Sequence, residues 1–162
     1  MRVRLALFVV SALLFIGGVS FAVAGARALR RPPPAPAETL TPVGSVTSIM
    51  RGIVDPAATT VFNAVSTTVT AAGVEEKAPA SQKEWDAVAD AAAALAESGN
   101  LLLVGNRAVD RNDWTTLSRK MIEAGQTALR AAEARDAAGV FASGETIYEA
   151  CDSCHSKYRR TQ

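Results

Sequence analysis

Residues Asp136–Arg160 read DAAGVFASGETIYEACDSCHSKYRR. Small or apolar side chains recur there at Val140, Gly144, Ile147, Cys151, Cys154 and Tyr158. Steps of three and four place them on one stripe of a helix. Asp136 is a residue type that caps a helix N-terminus. Lys157, Arg159 and Arg160 stand where cations offset the negative end of the helix dipole, by about 0.3–1 kcal/mol each. Both cysteines therefore fall on the stripe that a helix turns toward its neighbours, and those neighbours must be supplied upstream.

Three more segments have the same spacing. The first has its seam at Val43, Val46, Met50, Ile53 and Ala57. Asp55-Pro56 interrupts it, and the missing proline N–H predicts a kink or a restarted helix running to about Thr68. Residues 70–80, with Gly73 and Pro79, read as a loop. Ser81-x-x-Glu84 is a capping box opening a second helix, with its seam at Trp85, Val88, Ala92, Leu95 and Leu102. Gly105, Asn106 and the polar run to Asn112 form the next connection. A third helix starts near Asn112 or Asp113, with Trp114, Leu117, Met121, Ala124, Ala128 and Ala131 along one face. No segment alternates with period two and no Asn-Gly turn is present, so no sheet is expected. The predicted fold is all-α, an antiparallel four-helix bundle over residues 40–162.

Ahead of it, Arg2 and Arg4 precede an uncharged, mostly apolar run of 22 residues, Leu5–Ala26. Such a run matches the length of a bilayer-spanning helix, about 20 residues, and exceeds the ~7–15 residues of a signal-peptide centre. Ala22-Val23-Ala24 and Ala24-Gly25-Ala26 nevertheless offer small-x-small cleavage sites. The reading is a signal or membrane-anchor helix over 1–26 and a stiff Pro-rich linker over 27–39. Either way the remainder is exported, tethered to the inner membrane by the helix or soluble in the periplasm after cleavage.

The chain has 162 residues and a formal charge of +1, which argues against a nucleic-acid partner. No nucleophile triad, phosphate loop or pair of acid–base carboxylates is apparent, so enzyme chemistry is not expected. What remains is concentrated in five residues. The chain's two cysteines and one histidine form Cys151-Asp152-Ser153-Cys154-His155, the attachment pattern of c-type haem. Two thiols one helical turn apart can each add to a porphyrin vinyl group, and the adjacent imidazole can ligate the iron from below. A thioredoxin-like pair would stand at a helix start beside a sheet. Zinc would need a fourth ligand beyond these three. A plain Cys151–Cys154 disulfide, stapling a haem-free bundle, would leave His155 without a role. The expected cofactor is one covalent haem c. Alanine-rich helices bury little surface, whereas a haem burying a few hundred Å² would add on the order of 10 kcal/mol, so the domain should depend on haem for stability.

Because His155 is the only histidine, a second imidazole ligand from this chain is ruled out. The sixth position falls to Met50, to Met121 or to an open distal face, and spacing does not choose among them. A bound thioether suits one-electron transfer. An open pocket beside Val46, Ile49 and Ile53 suits binding of NO or CO. Trp85 and Trp114 read as core anchors, with Trp114 the nearer to a haem. Tyr158 reads as packing, and Leu101 and Leu102 as neighbours of the haem edge or simple core.

Cys151-x-x-Cys154-His155-x-x-Tyr158-Arg159, on the last of four helices, resembles the cytochrome c-prime family, the class II c-type cytochromes. The resemblance covers about residues 40–162 in helix number and order. It implies one covalent haem near the end of the bundle, facing the periplasm. Function is then either electron transfer at six-coordinate iron, with redox proteins or a membrane complex as partners, or gas binding at five-coordinate iron. It favours Met50, on the first helix, as sixth ligand, and makes Arg159 a candidate haem or propionate contact. A second copy of the chain is a candidate partner. The N-terminal stalk departs from the small soluble members and suggests a tethered form.

Overall fold

A computed structural model describes residues 2–29 and 40–159, with side chains of the first stretch described over 6–21. The Pro-rich residues 30–39 and Arg160 lie outside the described residues. The chain divides into two units, 1–39 and 40–162. In the first, α1 spans Arg2–Leu29. Among the described residues no helix is long and apolar enough to cross a membrane.

The second unit is mostly helical. It opens with α2, Val46–Ile49, whose N-cap Ser45 accepts the Ser48 N–H at 3.1 Å. A π-helical turn follows at Met50–Val54, and α3 continues over Asp55–Phe62. The break expected at Asp55-Pro56 is thus a widened turn and not a stop. Pro56 cannot donate to the carbonyl four residues back, and its ring crowds that carbonyl. The chain responds by bonding the Asp55 N–H to the Met50 carbonyl, five residues back.

The extra residue shifts the buried face. Ile49, Val54, Ala57 and Val61 are buried, whereas Val43 is exposed and Ile53 only half-buried. The expected seam of Val43, Val46, Met50, Ile53 and Ala57 is corrected accordingly. A π turn holds one residue more than an α turn, so the face advances from Ile49 to Val54 in a step of five.

The helix ends at Phe62, short of the expected Thr68, and a β-hairpin replaces the expected loop. Strands β1, Ser66–Thr70, and β2, Gly73–Lys77, pair antiparallel with Val69 opposite Val74. The fold is therefore not purely α. The run Ser66-Thr-Thr-Val-Thr70 is rich in β-branched residues, which fit an extended strand better than a helix. Its turn uses Ala71-Ala72. The Ala72 N–H donates to the Thr70 hydroxyl and the hydroxyl donates to the Gly73 carbonyl, both at 3.2 Å. Gly73 takes φ +136°, a region open to glycine. Lys77 Nζ donates to the Asn63 carbonyl at 2.8 Å, tying the hairpin to the end of α3.

The capping box forms as the sequence predicts. The Ser81 hydroxyl accepts the Glu84 N–H at 3.3 Å, and the Glu84 carboxylate accepts the Ser81 N–H at 3.0 Å. It opens α4, Gln82–Leu103, whose seam residues Trp85, Val88, Ala92, Leu95 and Leu102 are all buried. Helices α5, Asp113–Glu133, and α6, Ala137–Tyr158, complete the unit.

Ala96 faces Gly125 and Gly99 faces Ser118 and Ile122, so α4 and α5 run antiparallel. A Cβ on Gly125 would lie 2.5 Å from the Ala96 nitrogen, so only glycine permits this approach. Between α5 and α6, Arg135 adopts φ +54°. There the Asp136 N–H donates to the Ala131 carbonyl and the Arg135 N–H to the Ala132 carbonyl, closing the end of α5. Asp136 then caps α6 by accepting the Gly139 N–H at 2.9 Å.

Candidate functional site

The ends of α4 and α6, the start of α5 and the π turn meet around one small apolar cavity of about 20 Å³, room for a single water. It is lined by Met50 and Val54 from the π turn, Leu102 from α4, Leu117, Ser118 and Met121 from α5, and Ala150, Cys151, Cys154 and His155 from α6. The three chemically distinctive residues of the tail thus share a wall with both methionine candidates. Periodicity explains why. Ala150, Cys151, Cys154 and His155 step by one, three and one around a helix, giving a single patch along adjacent turns.

Both cysteines are free thiols and half-buried, and His155 is exposed at the rim. Burial pushes both thiols upward in pKa, with the neighbouring Cys154 adding to the effect on Cys151. They are held as thiols, not thiolates. Met121 is buried at 5 % exposure and Met50 is half-buried.

Val54 supplies the wall that Val46, Ile49 and Ile53 were expected to form; those three do not line this cavity. The π turn is the reason, since it turns residue 54 inward in place of 53. Leu102 lines the cavity and Leu101 does not. Arg159 is exposed, and its N–H donates to the His155 carbonyl at 3.0 Å; its side chain is not part of the wall. Ser118 and Ala150 were not singled out by sequence reasoning. Their small size is the signal that could have found them, since Ser118 on α5 and Ala150 beside Cys151 leave space at the cysteines.

Beside the cavity lies a polar knot that the sequence did not reveal. Tyr158 Oη donates to Asp110 Oδ2. Asp110 Oδ1 accepts the N–H groups of Asn112 at 3.0 Å and Trp114 at 3.1 Å, capping α5 where Asn112 itself makes no side-chain cap. Trp114 stands edge-on to the Tyr158 ring, with centroids 5.1 Å apart, and its Nε1 donates to the Leu102 carbonyl at 2.9 Å. Lys157 pairs with Asp113. The tyrosine hydroxyl, and next the Trp114 amide, hold the Asp110 carboxyl below its usual range. Desolvation, followed by Asp110, raises the Tyr158 phenol.

Among the described residues no group of three or more His, Cys, Asp and Glu side chains is arranged to hold a metal ion by itself. No protein-family model matches the chain, and neither a curated protein nor a solved structure matches it.

Proposed function

We propose that this chain is a c-type cytochrome, resembling the cytochrome c-prime family, that carries one covalent haem and transfers single electrons in the periplasm. In this reading residues 40–162 form a four-helix bundle with a hairpin inserted after the first helix. The N-terminal apolar helix tethers it to the inner membrane, and its partners are periplasmic or membrane redox proteins. The observation that carries the reading is the shared wall of Cys151, Cys154 and His155 with two methionines.

The donor set fits haem c. Two reduced thiols, three residues apart on one helix, face an apolar space beside an imidazole and a thioether. The space itself is far smaller than a macrocycle, so loading requires a wall to move. The segment from Ser45 to Phe62 is held to the rest by packing alone. Among the described residues, its hydrogen bonds to other elements fall at its margins, from Arg107 to the Gly44 carbonyl at 3.0 and 2.8 Å and from Lys77 to the Asn63 carbonyl.

Each protein residue then has a defined task. Cys151 and Cys154 would each add across a vinyl group, sulfur bonding one carbon and the thiol hydrogen going to the other, so no oxidant would be consumed. His155 holds the iron through a ring nitrogen. Met50, half-buried on the π turn, would supply the sixth ligand in preference to Met121, which is packed into the core. Leu102, Leu117 and Val54 exclude water. The bound iron supplies a one-electron couple, which the thioether raises in potential.

The test is a mass measurement and a reduced-minus-oxidised spectrum, with and without CO, on full-length protein matured in a haem-attaching host. One added haem and a low-spin spectrum indifferent to CO are expected. CO uptake with a high-spin spectrum unchanged by Met50→Ala would replace electron transfer with gas binding. An unmodified mass, with the thiols free or joined, would overturn the reading.

A further inference from the structure

The residues around Tyr158 do more than close a helix. His155 and Cys154 sit one turn before Tyr158, on the last turn of α6, where a helix frays unless held. Two ties hold that turn to the start of α5. One is the Lys157–Asp113 pair, whose side chains are 48 % and 58 % exposed. An ion pair in water holds a long side chain only weakly. The other is the Tyr158–Asp110 hydrogen bond, half-buried and charge-assisted, with Trp114 packed against the ring. Asp110 is itself fixed by two backbone amides, and Trp114 by the Leu102 carbonyl, so α4, α5 and α6 converge on one phenol.

We propose that Asp110 and Tyr158 are a positioning pair that fixes the last turn of α6 and thereby aims the His155 imidazole into the cavity beside Cys154. The proposal rests on the haem reading given above. Neither residue lines the cavity, so both act through the helix turn. Tyr158 is the proper place for such a tie. It stands three residues after His155, on the same side of the helix, and its rigid ring carries the hydroxyl out to the neighbouring helix. Ligand orientation by a residue outside the ligand set is a general means of tuning an iron centre.

The experiment uses the full chain in three variants, all matured with haem. Tyr158→Phe removes one hydroxyl and keeps the ring against Trp114. Asp110→Asn keeps the size of the side chain. Lys157→Met cuts only the exposed pair. Mass confirms loading, hydrogen exchange follows the amides of 155–159, and redox titration gives the midpoint potential. Tyr158→Phe and Asp110→Asn are expected to exchange roughly three- to tenfold faster at those amides. They should also have a raised midpoint potential, because a loosely aimed imidazole donates less to ferric iron. Lys157→Met should match the parent in both.

A loaded parent whose Tyr158→Phe and Asp110→Asn forms keep its potential would overturn the positioning role, whether or not exchange quickens. A parent that takes up no haem would overturn the haem reading and this inference with it. The two failures are distinguished by the parent's mass alone.

Discussion

The backbone N–H of Asp55 donates to the carbonyl of Met50, five residues back, and this one bond turns Val54 toward the cysteines. Its cause is Pro56. A proline in a helix interior leaves the carbonyl four residues before it unpaired and sterically crowded. Adding a residue to the preceding turn relieves that crowding. The widened turn also sets Met50 and Val54 on one wall.

Deleting Gly52 tests this cause. Its position is open, with no atom within 4 Å of a Cβ built there. Deletion leaves Ile49 and Val54 four positions apart, a spacing an ordinary α-helix serves, but brings Pro56 against a helical carbonyl again. The deletion alone should cost about 3 kcal/mol, the usual burden of an interior proline. Combined with Pro56→Ala it should regain most of that loss. Urea unfolding of the two forms checks the difference, and equal stabilities would remove Pro56 as the cause.

Two alanine substitutions should act in opposite directions. Gly125→Ala sets a methyl 2.5 Å from the Ala96 nitrogen and 2.9 Å from its Cα, atoms of a helix backbone that cannot give way singly. Separating α4 from α5 should destabilise by about 1–3 kcal/mol. Gly52→Ala meets nothing and removes unfolded-state freedom, so it should stabilise by about 0.5–1 kcal/mol. Thermal melts of both variants against the parent measure the two signs.

Cysteine chemistry gives a third expectation. Thiolate is the nucleophile, and burial holds both thiols in the protonated form. In haem-free chain at pH 8, Cys151 and Cys154 should react with iodoacetamide more slowly than the same residues in urea. Mass spectrometry over time follows the labelling. Equal rates folded and unfolded would show that the cavity does not shelter them.

Much of this arrangement is written locally in the sequence. Ser81 and Glu84 specify the start of α4, and the spacing from Val140 to Cys154 specifies which side of α6 is turned inward. These features depend on neighbours within one or two turns. The hairpin was missed because its turn uses Ala71-Ala72 braced by the Thr70 hydroxyl, and not the glycine pair that sequence patterns reward. The shifted seam of the first helix was missed because a proline's effect can be absorbed upstream, as a π turn, without ending the helix. The Tyr158–Asp110 contact joins residues 48 positions apart, and no spacing rule reaches across two helices.

The same contact governs the pH range of stability. Asp110 has a lowered folded pKa, caused first by the Tyr158 hydroxyl, so its contribution is fully present above its unfolded value near 3.9. That contribution fades as pH falls through the lower folded value. Glu84 adds to the same acid limb, its carboxyl lowered by the Ala80 and Ser81 amides. Tyr158 has a raised folded pKa, caused first by desolvation, so its contribution is present below the unfolded value near 10 and fades as pH rises through the folded one. Haem-free chain should therefore lose stability below about pH 4 and again above about pH 10. The thiols, also raised by burial, start the alkaline decline earlier, from about pH 8.5. Tyr158→Phe removes the phenol's share of the later decline, leaving that of Lys157, whose ammonium is raised first by its hydrogen bond to Asp113, and weakens the acid limb that Asp110 contributes. Melting temperatures of parent and variant across pH 3–11 decide the matter. Parallel curves at both ends would show that the pair carries no share of the pH dependence.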